Sequence, residues 1–373
     1  MTLKNSLILI FAVTIFTSCK NTKTNPITEI LNTESDSLLS HLELNAISIG
    51  INMNGETFTM HKGELKKGAK NKPSSETLYE IASITKTFTG TLLAQAIVDK
   101  KVKLDDDIRI VLSDSFSNLE YDKNPITFRD LVTHRSGIPN MFPNKPEIFE
   151  NPDYITLPKI INELQQGFSK QDFFEELHKV KLDTLPGTRF GYSNAGANLL
   201  GYCLESIYNK PYEEILKEYI LNPLKMTHTK IMISDDELLN LAQGYNETGI
   251  KMPFGIDKAM SAEGGLKSTL EDMMKYVAFH LDENNPVIKT AHQELLGLWD
   301  DFENGLFWQM FKTKDEPRKI FQNGGAFGSS SWITIIPEKQ IGVFIITNQS
   351  GPKTHGRLNA AVERIIEKLQ KDL

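Results

Sequence analysis

A β-hairpin pattern begins at Ile47: Ile47-Ser48-Ile49-Gly50-Ile51-Asn52-Met53-Asn54-Gly55-Glu56-Thr57-Phe58-Thr59-Met60. Isoleucines alternate with small or polar residues in the first run, and a return strand passes through Phe58 and Met60. Asn-Gly between two such runs is a strong signal for a tight hairpin turn, because both residues tolerate positive φ. The sequence therefore predicts two paired strands at this end of the folded domain.

Strand patterns return in the last third of the chain, over residues 307–311, 319–322, 330–336 and 342–347, with a turn at residues 337–340. The chain closes on an amphipathic helix, whose apolar residues recur at helical spacing: Leu358, Ala361, Val362, Ile365, Ile366 and Leu369. Residues 83–249 show mostly helical patterns. Strands at both ends with helices between them predict one sheet completed by distant segments, in a single folding unit.

The amino terminus has the pattern of an export signal over residues 1–18. Lys4 precedes an apolar stretch at residues 7–16, which is too short to span a bilayer. The stretch ends in Phe16-Thr17-Ser18-Cys19, which resembles a bacterial lipoprotein signal, although Phe16 departs from the usual aliphatic residue. We expect a lipid anchor on Cys19 and a location in the bacterial cell envelope. The alternative is a plain secretory signal with Cys19 incidental.

The rest of the chain divides into a tether and one domain. Residues 19–40 are rich in Asn, Thr, Ser and Glu, and we expect a flexible tether there. Residues 41–373 form the predicted domain, with the sheet region at about 44–82 and 250–373 and the helical region at about 83–249.

Composition narrows the classes of function. The chain has 41 Lys and Arg against 48 Asp and Glu, a formal charge of −7, so nucleic acid is not an expected partner, because duplex binding needs a basic face. Two cysteines in 373 residues exclude a disulfide scaffold. The eight histidines lack metal-ligand spacing, and we expect neither a metal nor another cofactor.

Ser83-Ile84-Thr85-Lys86 is a candidate nucleophile and base at the start of a predicted helix. Residues three apart share a helix face, so the amine can reach the hydroxyl, and the helix amino terminus favours negative charge. The second such spacing, Ser350-Gly351-Pro352-Lys353, contains Gly-Pro and cannot form a regular helical turn. The alternative for Ser83 is a helix-capping serine beside a surface lysine.

Two further segments carry polar groups in loops. Tyr192-Ser193-Asn194 could present a phenol for proton transfer and an amide for a substrate carbonyl, or could be a packed turn. Gln322-Asn323-Gly324-Gly325 ends a predicted strand, where glycines let a substrate lie against the backbone and expose an N–H group for an oxyanion hole. The alternative for the glycines is a turn or a bulge.

Together these segments resemble the serine β-lactamase and penicillin-binding-protein superfamily, in the branch of class C β-lactamases, D-alanyl-D-alanine carboxypeptidases and related esterases. The resemblance runs from about residue 45 to the end of the chain. It is carried by segments in the family's order: residues 78–86, 131–139, 186–194, 222–229, 264–269 and Gly324-Gly325. The resemblance implies an α+β fold, an antiparallel β-sheet flanked by helices with a mostly helical inserted subdomain.

The resemblance also implies roles for the site residues. Ser83 is the acylated nucleophile, Lys86 helps to deprotonate it, and Tyr192 passes a proton to the leaving group. The implied substrate-binding residues are Asn194, Gln322, Asn323, Gly324 and Gly325, with the N–H groups of Ser83 and Gly325 holding the oxyanion. His134 lies in a matched segment and is taken as structural. The implied activity is a serine hydrolase acting on ester, amide or lactam carbonyls.

One residue departs from the family pattern. Gln322 stands where family members usually carry Lys or His, a cation that helps to bind a substrate carboxylate. A charged hydrogen bond is worth about 1.5–3 kcal/mol, which corresponds to a roughly tenfold to hundredfold effect. We therefore expect weak β-lactamase activity and a preference for neutral esters or amides, unless an arginine from elsewhere in the chain supplies the missing charge. The alternatives are a D,D-carboxypeptidase or D-amino acid peptidase on cell-wall peptides, and, from another class, a catalytically silent protein that binds an envelope ligand.

Overall fold

The computed structural model describes residues 25–41, 44–255, 261–295 and 302–372. The predicted signal at residues 1–18 and the predicted anchor Cys19 lie outside these ranges. In the part of the chain that is described, none of the helices has both the length and the apolar character needed to cross a membrane.

The described residues form thirteen β-strands and twelve α-helices. The strands are β1 (Ala46–Met53), β2 (Glu56–Gly63), β3 (Tyr79–Glu80), β4 (Glu120–Tyr121), β5 (Asn124–Pro125), β6 (Tyr245–Asn246), β7 (Lys267–Ser268), β8 (Phe302–Asn304), β9 (Gln309–Phe311), β10 (Lys319–Gly325), β11 (Ser330–Ile336), β12 (Ile341–Thr347) and β13 (Gln349–Ser350). The α-helices are α1 (Pro26–Leu39), α2 (Thr85–Val98), α3 (Phe128–Val132), α4 (Leu157–Gln165), α5 (Lys170–His178), α6 (Asn194–Tyr208), α7 (Tyr212–Leu216), α8 (Asp235–Leu238), α9 (Ser261–Gly264), α10 (Leu270–His280), α11 (Pro286–Ala291) and α12 (Pro352–Asp372).

A seven-stranded sheet joins the two ends of the chain, in the order β2-β1-β12-β11-β10-β9-β8. All neighbours are antiparallel, and β1 pairs with β12 so that Ile47 lies opposite Thr347. The predicted hairpin turn forms with positive φ at both Asn54 and Gly55. The prediction of one sheet built from distant segments is therefore confirmed. The predicted strand at residues 307–311 begins only at Gln309, because Phe307 has a left-handed φ of 60°.

Helices cover both faces of the sheet. One face packs α1 and α12 against the odd-numbered isoleucines of β1 and against Val343 and Ile345 of β12. The other face packs α10 and the helical region against Phe344 and Ile346. Every residue of β12 is buried for this reason, which explains why its sequence is continuously apolar instead of alternating. Among the helices between the two strand regions, α4 and the start of α6 contribute residues to the wall of the cavity described below.

The flexible tether predicted for residues 19–40 is wrong over residues 26–39, which form α1. Asn25 caps the helix by accepting the N–H of Ile27, and Leu31 and Leu38 are buried against the sheet. Glu34 is also buried and accepts hydrogen bonds from Arg364 and Lys368 of α12. Although the segment is mostly polar in composition, its apolar residues form a narrow stripe along one face of the helix. This stripe is sufficient to stabilise α1, because the sheet and α12 supply the surface against which it packs.

Candidate active site

Ser83 lies in a 3₁₀ turn, Ala82–Ile84, directly before α2. The short strand β3 precedes this turn and pairs with β7, with Glu80 opposite Lys267. Ala82 has a φ of 49°, a left-handed conformation that is strained for a residue with a Cβ atom. The surrounding pairing thus holds Ala82 in a costly backbone conformation and places the next residue, Ser83, at the helix amino terminus.

Lys86 is one helical turn after Ser83, and its side chain is completely buried. Its Nζ donates to Ser83 Oγ at 3.1 Å, to Asn194 Oδ1 at 2.7 Å and to the Glu263 carbonyl at 2.6 Å. The carboxylate of Glu263 is 3.4 Å from the same nitrogen. The three donors of the ammonium group are therefore all satisfied, although the group is removed from water.

Tyr192 reaches Ser83 from the loop before α6. Its Oη is 2.7 Å from Ser83 Oγ, and its ring faces Lys86 Nζ at 4.9 Å from the centroid. His134 packs against this ring, with centroids 4.5 Å apart, and its Nδ1 accepts the N–H of Ser193. Burial, aided by the charge of Lys86, lowers the pKa of His134 to about 3, so the imidazole is neutral and positions the tyrosine loop.

Asn194 begins α6 and links the lysine to the opposite loop. While its Oδ1 accepts from Lys86, its Nδ2 donates to Asn140 Oδ1 at 3.1 Å. The backbone N–H groups of Asn194 and Ala195 both donate to the Asn140 carbonyl. These contacts fix which way the Asn194 amide points, with its NH₂ group toward the open side of the site.

The glycines of β10 allow the strand to approach the turn that carries Ser83. A Cβ atom on Gly324 would lie 2.1 Å from the Ile81 carbonyl oxygen and 2.6 Å from Ser331 Oγ. Ser331 donates to that same carbonyl, which ties β11 to the turn as well. Glycine is thus required at position 324 because two backbone segments approach closely there. A turn or a bulge, the alternative given in the sequence analysis, is not needed to explain it.

Gln322 lies in β10, two residues before Gly324. Its side chain is buried, with Nε2 donating to the Phe307 carbonyl and Oε1 accepting from Gln309 Nε2 and from the Asn323 N–H. None of Gln322, Asn323 and Gly324 lines the cavity beside Ser83, whereas Gly325 does. The alternation of side chains along β10 and these internal hydrogen bonds direct the amide of Gln322 into the protein.

A cavity of about 230 Å³ opens beside Ser83. Its wall includes Ser83, Asn194 and Gly325, together with apolar side chains of the helical region, Met141, Phe149 and Ile161. Phe149 belongs to the segment between α3 and α4. The cleft therefore combines the polar groups at Ser83 with an apolar wall, as expected for a small-molecule or peptide site.

Charges of both signs lie in the cavity wall. Glu80 accepts the N–H of Gly255, and burial raises the pKa of its carboxyl group. Among the described residues of the wall, Lys267 is the basic one, and its Nζ donates to the carbonyls of Ile231 and Gly265.

Sequence reasoning missed two residues of this site. Glu263 supplies a carbonyl and a carboxylate to Lys86, and Asn140 anchors Asn194. Both adjoin segments quoted in the sequence analysis, Gly264-Gly265 and residues 131–139, but no spacing rule connects either of them to Ser83.

Within the described ranges, no three His, Cys, Asp or Glu side chains are grouped so that they could hold a metal ion. Cys203 is buried, and burial raises the pKa of its thiol.

Comparison with known proteins shows the family of the chain. The family model described as Beta-lactamase matches residues 42–367. The chain belongs to the beta-lactamase family. A Beta-lactamase of Pseudomonas fluorescens is 24% identical over 375 residues, which cover 90% of this chain and 97% of the relative. The D-alanyl-D-alanine-carboxypeptidase/endopeptidase AmpH of Escherichia coli K12 is 27% identical over 307 residues, which cover 77% of this chain and 75% of the relative.

A solved structure shows the same fold. The Beta-lactamase/D-alanine Carboxypeptidase from Yersinia pestis, crystallised with citrate, superposes with a TM-score of 0.78 at 22% identity, covering 92% of this chain and 99% of that one. The predicted superfamily and the predicted fold class, an antiparallel sheet flanked by helices, are confirmed. The protein is a hydrolase of the beta-lactamase family.

Proposed function

We propose that the protein is a serine hydrolase that cleaves ester or amide bonds through an acyl-enzyme on Ser83. The observation that carries this proposal is the hydrogen-bonded set of Ser83, Lys86 and Tyr192, with Oγ 3.1 Å from Nζ and 2.7 Å from Oη. A serine becomes a useful nucleophile only beside groups that accept its proton. Here two such groups lie within hydrogen-bond distance of it.

Lys86 can act as the base because its surroundings suit both protonation states. The ammonium form donates to Ser83, Asn194 and Glu263. The neutral amine keeps two N–H donors for the Asn194 and Glu263 oxygens and accepts the Ser83 proton with its lone pair. The proton can therefore move without rearrangement of the site. Tyr192 gives its phenolic proton to the leaving group, which departs, and takes a proton back from the water that releases the acyl group, while Lys86 returns its proton to Ser83 Oγ.

The N–H groups of Ser83 and Gly325 hold the oxyanion in this proposal, since both residues line the same cavity. The Asn194 NH₂ group, whose orientation is fixed by Lys86 and Asn140, holds the substrate carbonyl or amide.

Neutral substrates are preferred over those that carry a carboxylate next to the scissile bond. Gln322 has no charge, and its amide is engaged with Phe307, Gln309 and Asn323. The missing ionic hydrogen bond corresponds to a roughly tenfold to hundredfold loss on penicillins or D-alanyl-D-alanine peptides. β-Lactamase activity is accordingly weak. Measured hydrolysis of a chromogenic cephalosporin at the rate of a dedicated β-lactamase would contradict this preference.

A D,D-carboxypeptidase or D-amino acid peptidase is the second candidate, and the match to a D-alanyl-D-alanine-carboxypeptidase over 77% of the chain favours it. A panel of neutral esters, amides, D-amino acid peptides and β-lactams, followed by mass spectrometry of Ser83, separates the candidates. The mass added to the Ser83 peptide identifies the acyl group.

A fluorophosphonate probe tests the hydrolase proposal itself. We expect labelling of the wild type and of Ser350→Ala, the serine of the other Ser-x-x-Lys sequence, and none of Ser83→Ala. Failure of every acylating probe to label the folded wild type would refute the proposal and favour a silent protein that binds an envelope ligand.

The protein works outside the cytoplasm in this proposal, anchored to a membrane through lipidated Cys19. The proposed lipid anchor is supported by the sequence Phe16-Thr17-Ser18-Cys19, which follows an apolar stretch. Metabolic labelling with a palmitate analogue should mark the full-length chain and not Cys19→Ala. Equal labelling of both, or of neither, would refute the anchor.

A further inference from the structure

His355, on the first turn of α12, contacts the strand that borders the active site. Its Nε2 is 3.1 Å from the Gly324 carbonyl oxygen. A carbonyl oxygen can only accept, so Nε2 carries the proton and donates. The imidazole also lies close to the next residue, since a Cβ atom on Gly325 would be 2.8 Å from His355 Cε1.

The Gly324 carbonyl and the Gly325 N–H belong to one peptide group. This peptide is trans, so its C=O and N–H point in opposite directions. The carbonyl points toward His355 and toward Ser331 Oγ, which is 3.5 Å away. The N–H of Gly325 therefore points away from β11 and α12, on the side where Gly325 borders the cavity with Ser83.

We propose that His355 is a positioning residue for the oxyanion hole and acts through the Gly324–Gly325 peptide. A hydrogen bond to the carbonyl oxygen draws electron density from the amide nitrogen, so the N–H at the other end becomes a stronger donor. The same bond fixes the plane of a peptide between two glycines, which have no side chains of their own to restrain it. The inference rests on the proposed role of Gly325 in holding the oxyanion.

The expected decrease in acylation rate can be worked out from the known contribution of one oxyanion donor to kcat. Removal of one such donor typically lowers kcat by about 10²–10³. A neighbouring hydrogen bond in the same chain strengthens such a donor's bond by about 10–30% of its energy. Loss of the His355 donor should therefore slow acylation by about two- to eightfold, with KM for a neutral ester unchanged.

The test compares His355→Leu with His355→Gln, whose amide Nε2–H can replace the imidazole donor, and uses Lys353→Ala on the same helical turn as the control. We expect slower acylation in the Leu variant, wild-type acylation in the Lys353 variant, and recovery in the Gln variant. Affinity for a boronic acid, whose tetrahedral adduct on Ser83 places an oxygen in the oxyanion hole, should fall by the same factor as the acylation rate. The carbonyl stretch of the acyl-enzyme should move to higher wavenumber.

Thermal unfolding separates a positioning role from a structural one, because a positioning residue changes the acylation rate and leaves the melting temperature unchanged. If the Leu variant does not fold, His355→Met takes its place. Equal acylation rates in the Leu and Gln variants, or an unchanged boronate affinity, would overturn the inference. Absence of Ser83 labelling in the wild type refutes the proposed function instead, so the two failures are distinguishable.

Discussion

Replacement of Gly324 by alanine tests whether the approach of β10 to the Ser83 turn sets the geometry of the site. The added Cβ would lie 2.1 Å from the Ile81 carbonyl oxygen, about 1.3 Å closer than the 3.4 Å at which ordinary contacts begin. That oxygen belongs to the backbone and is held by Ser331, so it cannot rotate away. Gly324 has no positive φ, and the substitution therefore adds a clash without a dihedral penalty.

We expect β10 and the turn carrying Ser83 to separate by about 1 Å. A misplacement of this size costs roughly 10² in rate, because it spoils the alignment of nucleophile and oxyanion donors. The strain itself should lower the free energy of unfolding by about 1–3 kcal/mol. The assay is the second-order rate constant for labelling by a fluorophosphonate, measured beside thermal unfolding.

Gly356→Ala is the matched control. Gly356 lies in α12, and a Cβ atom there meets no other atom within 4 Å, so we expect an unchanged labelling rate and slightly higher stability. Labelling of Gly324→Ala at the wild-type rate, with an unchanged melting temperature, would show that the close approach does not set the geometry of the site.

Three further predictions address the tyrosine, the buried histidines and α1. Tyr192→Phe removes the oxygen 2.7 Å from Ser83 and should lower the acylation rate by about 10²–10⁴ without affecting folding; a smaller loss would remove the tyrosine from the proton path. Burial lowers the pKa of His134 to about 3 and also lowers the pKa of His280. Because both histidines have the ordinary pKa near 6.5 in the unfolded chain, the unfolded chain binds more protons than the folded chain below that pH. Denaturant titrations should accordingly show stability falling with pH from 6.5 to 5 by up to about 1.4 kcal/mol per pH unit per histidine, and a flat profile would contradict this. Leu31→Ala should cost about 2–5 kcal/mol in unfolding free energy, because α1 is part of the core, whereas a flexible tether would tolerate it.

The contacts around Ser83 were largely predictable from local sequence. Ser83 and Lys86 are three residues apart, and helical geometry alone brings them together. Tyr192 and Asn194 came from a loop pattern, and the structure places both within hydrogen-bond distance of the pair. The family resemblance added their order along the chain, which no local rule supplies.

Other contacts depend on segments far apart in sequence. The carbonyl of Glu263 reaches Lys86 from 177 residues away, and His355 reaches Gly324 from 31 residues away. Neither residue type nor spacing marks them, because their positions depend on how α9 and α12 pack. Composition was misleading for residues 26–39, where polar residues concealed the buried stripe of α1.

By itself, the sequence determined the two strand regions, the hairpin at Asn54-Gly55 and the contact of Ser83 with Lys86, since periodicity, turn chemistry and short spacings are local properties. The order of the motifs along the chain determined the family. Only the tertiary structure decided that Gln322 is turned into the protein, that α1 is part of the core, and that the Gly324–Gly325 peptide lies between α12 and the cavity. The physical reason is that side-chain direction and burial depend on packing partners, and the chain order does not reveal which distant segments become those partners.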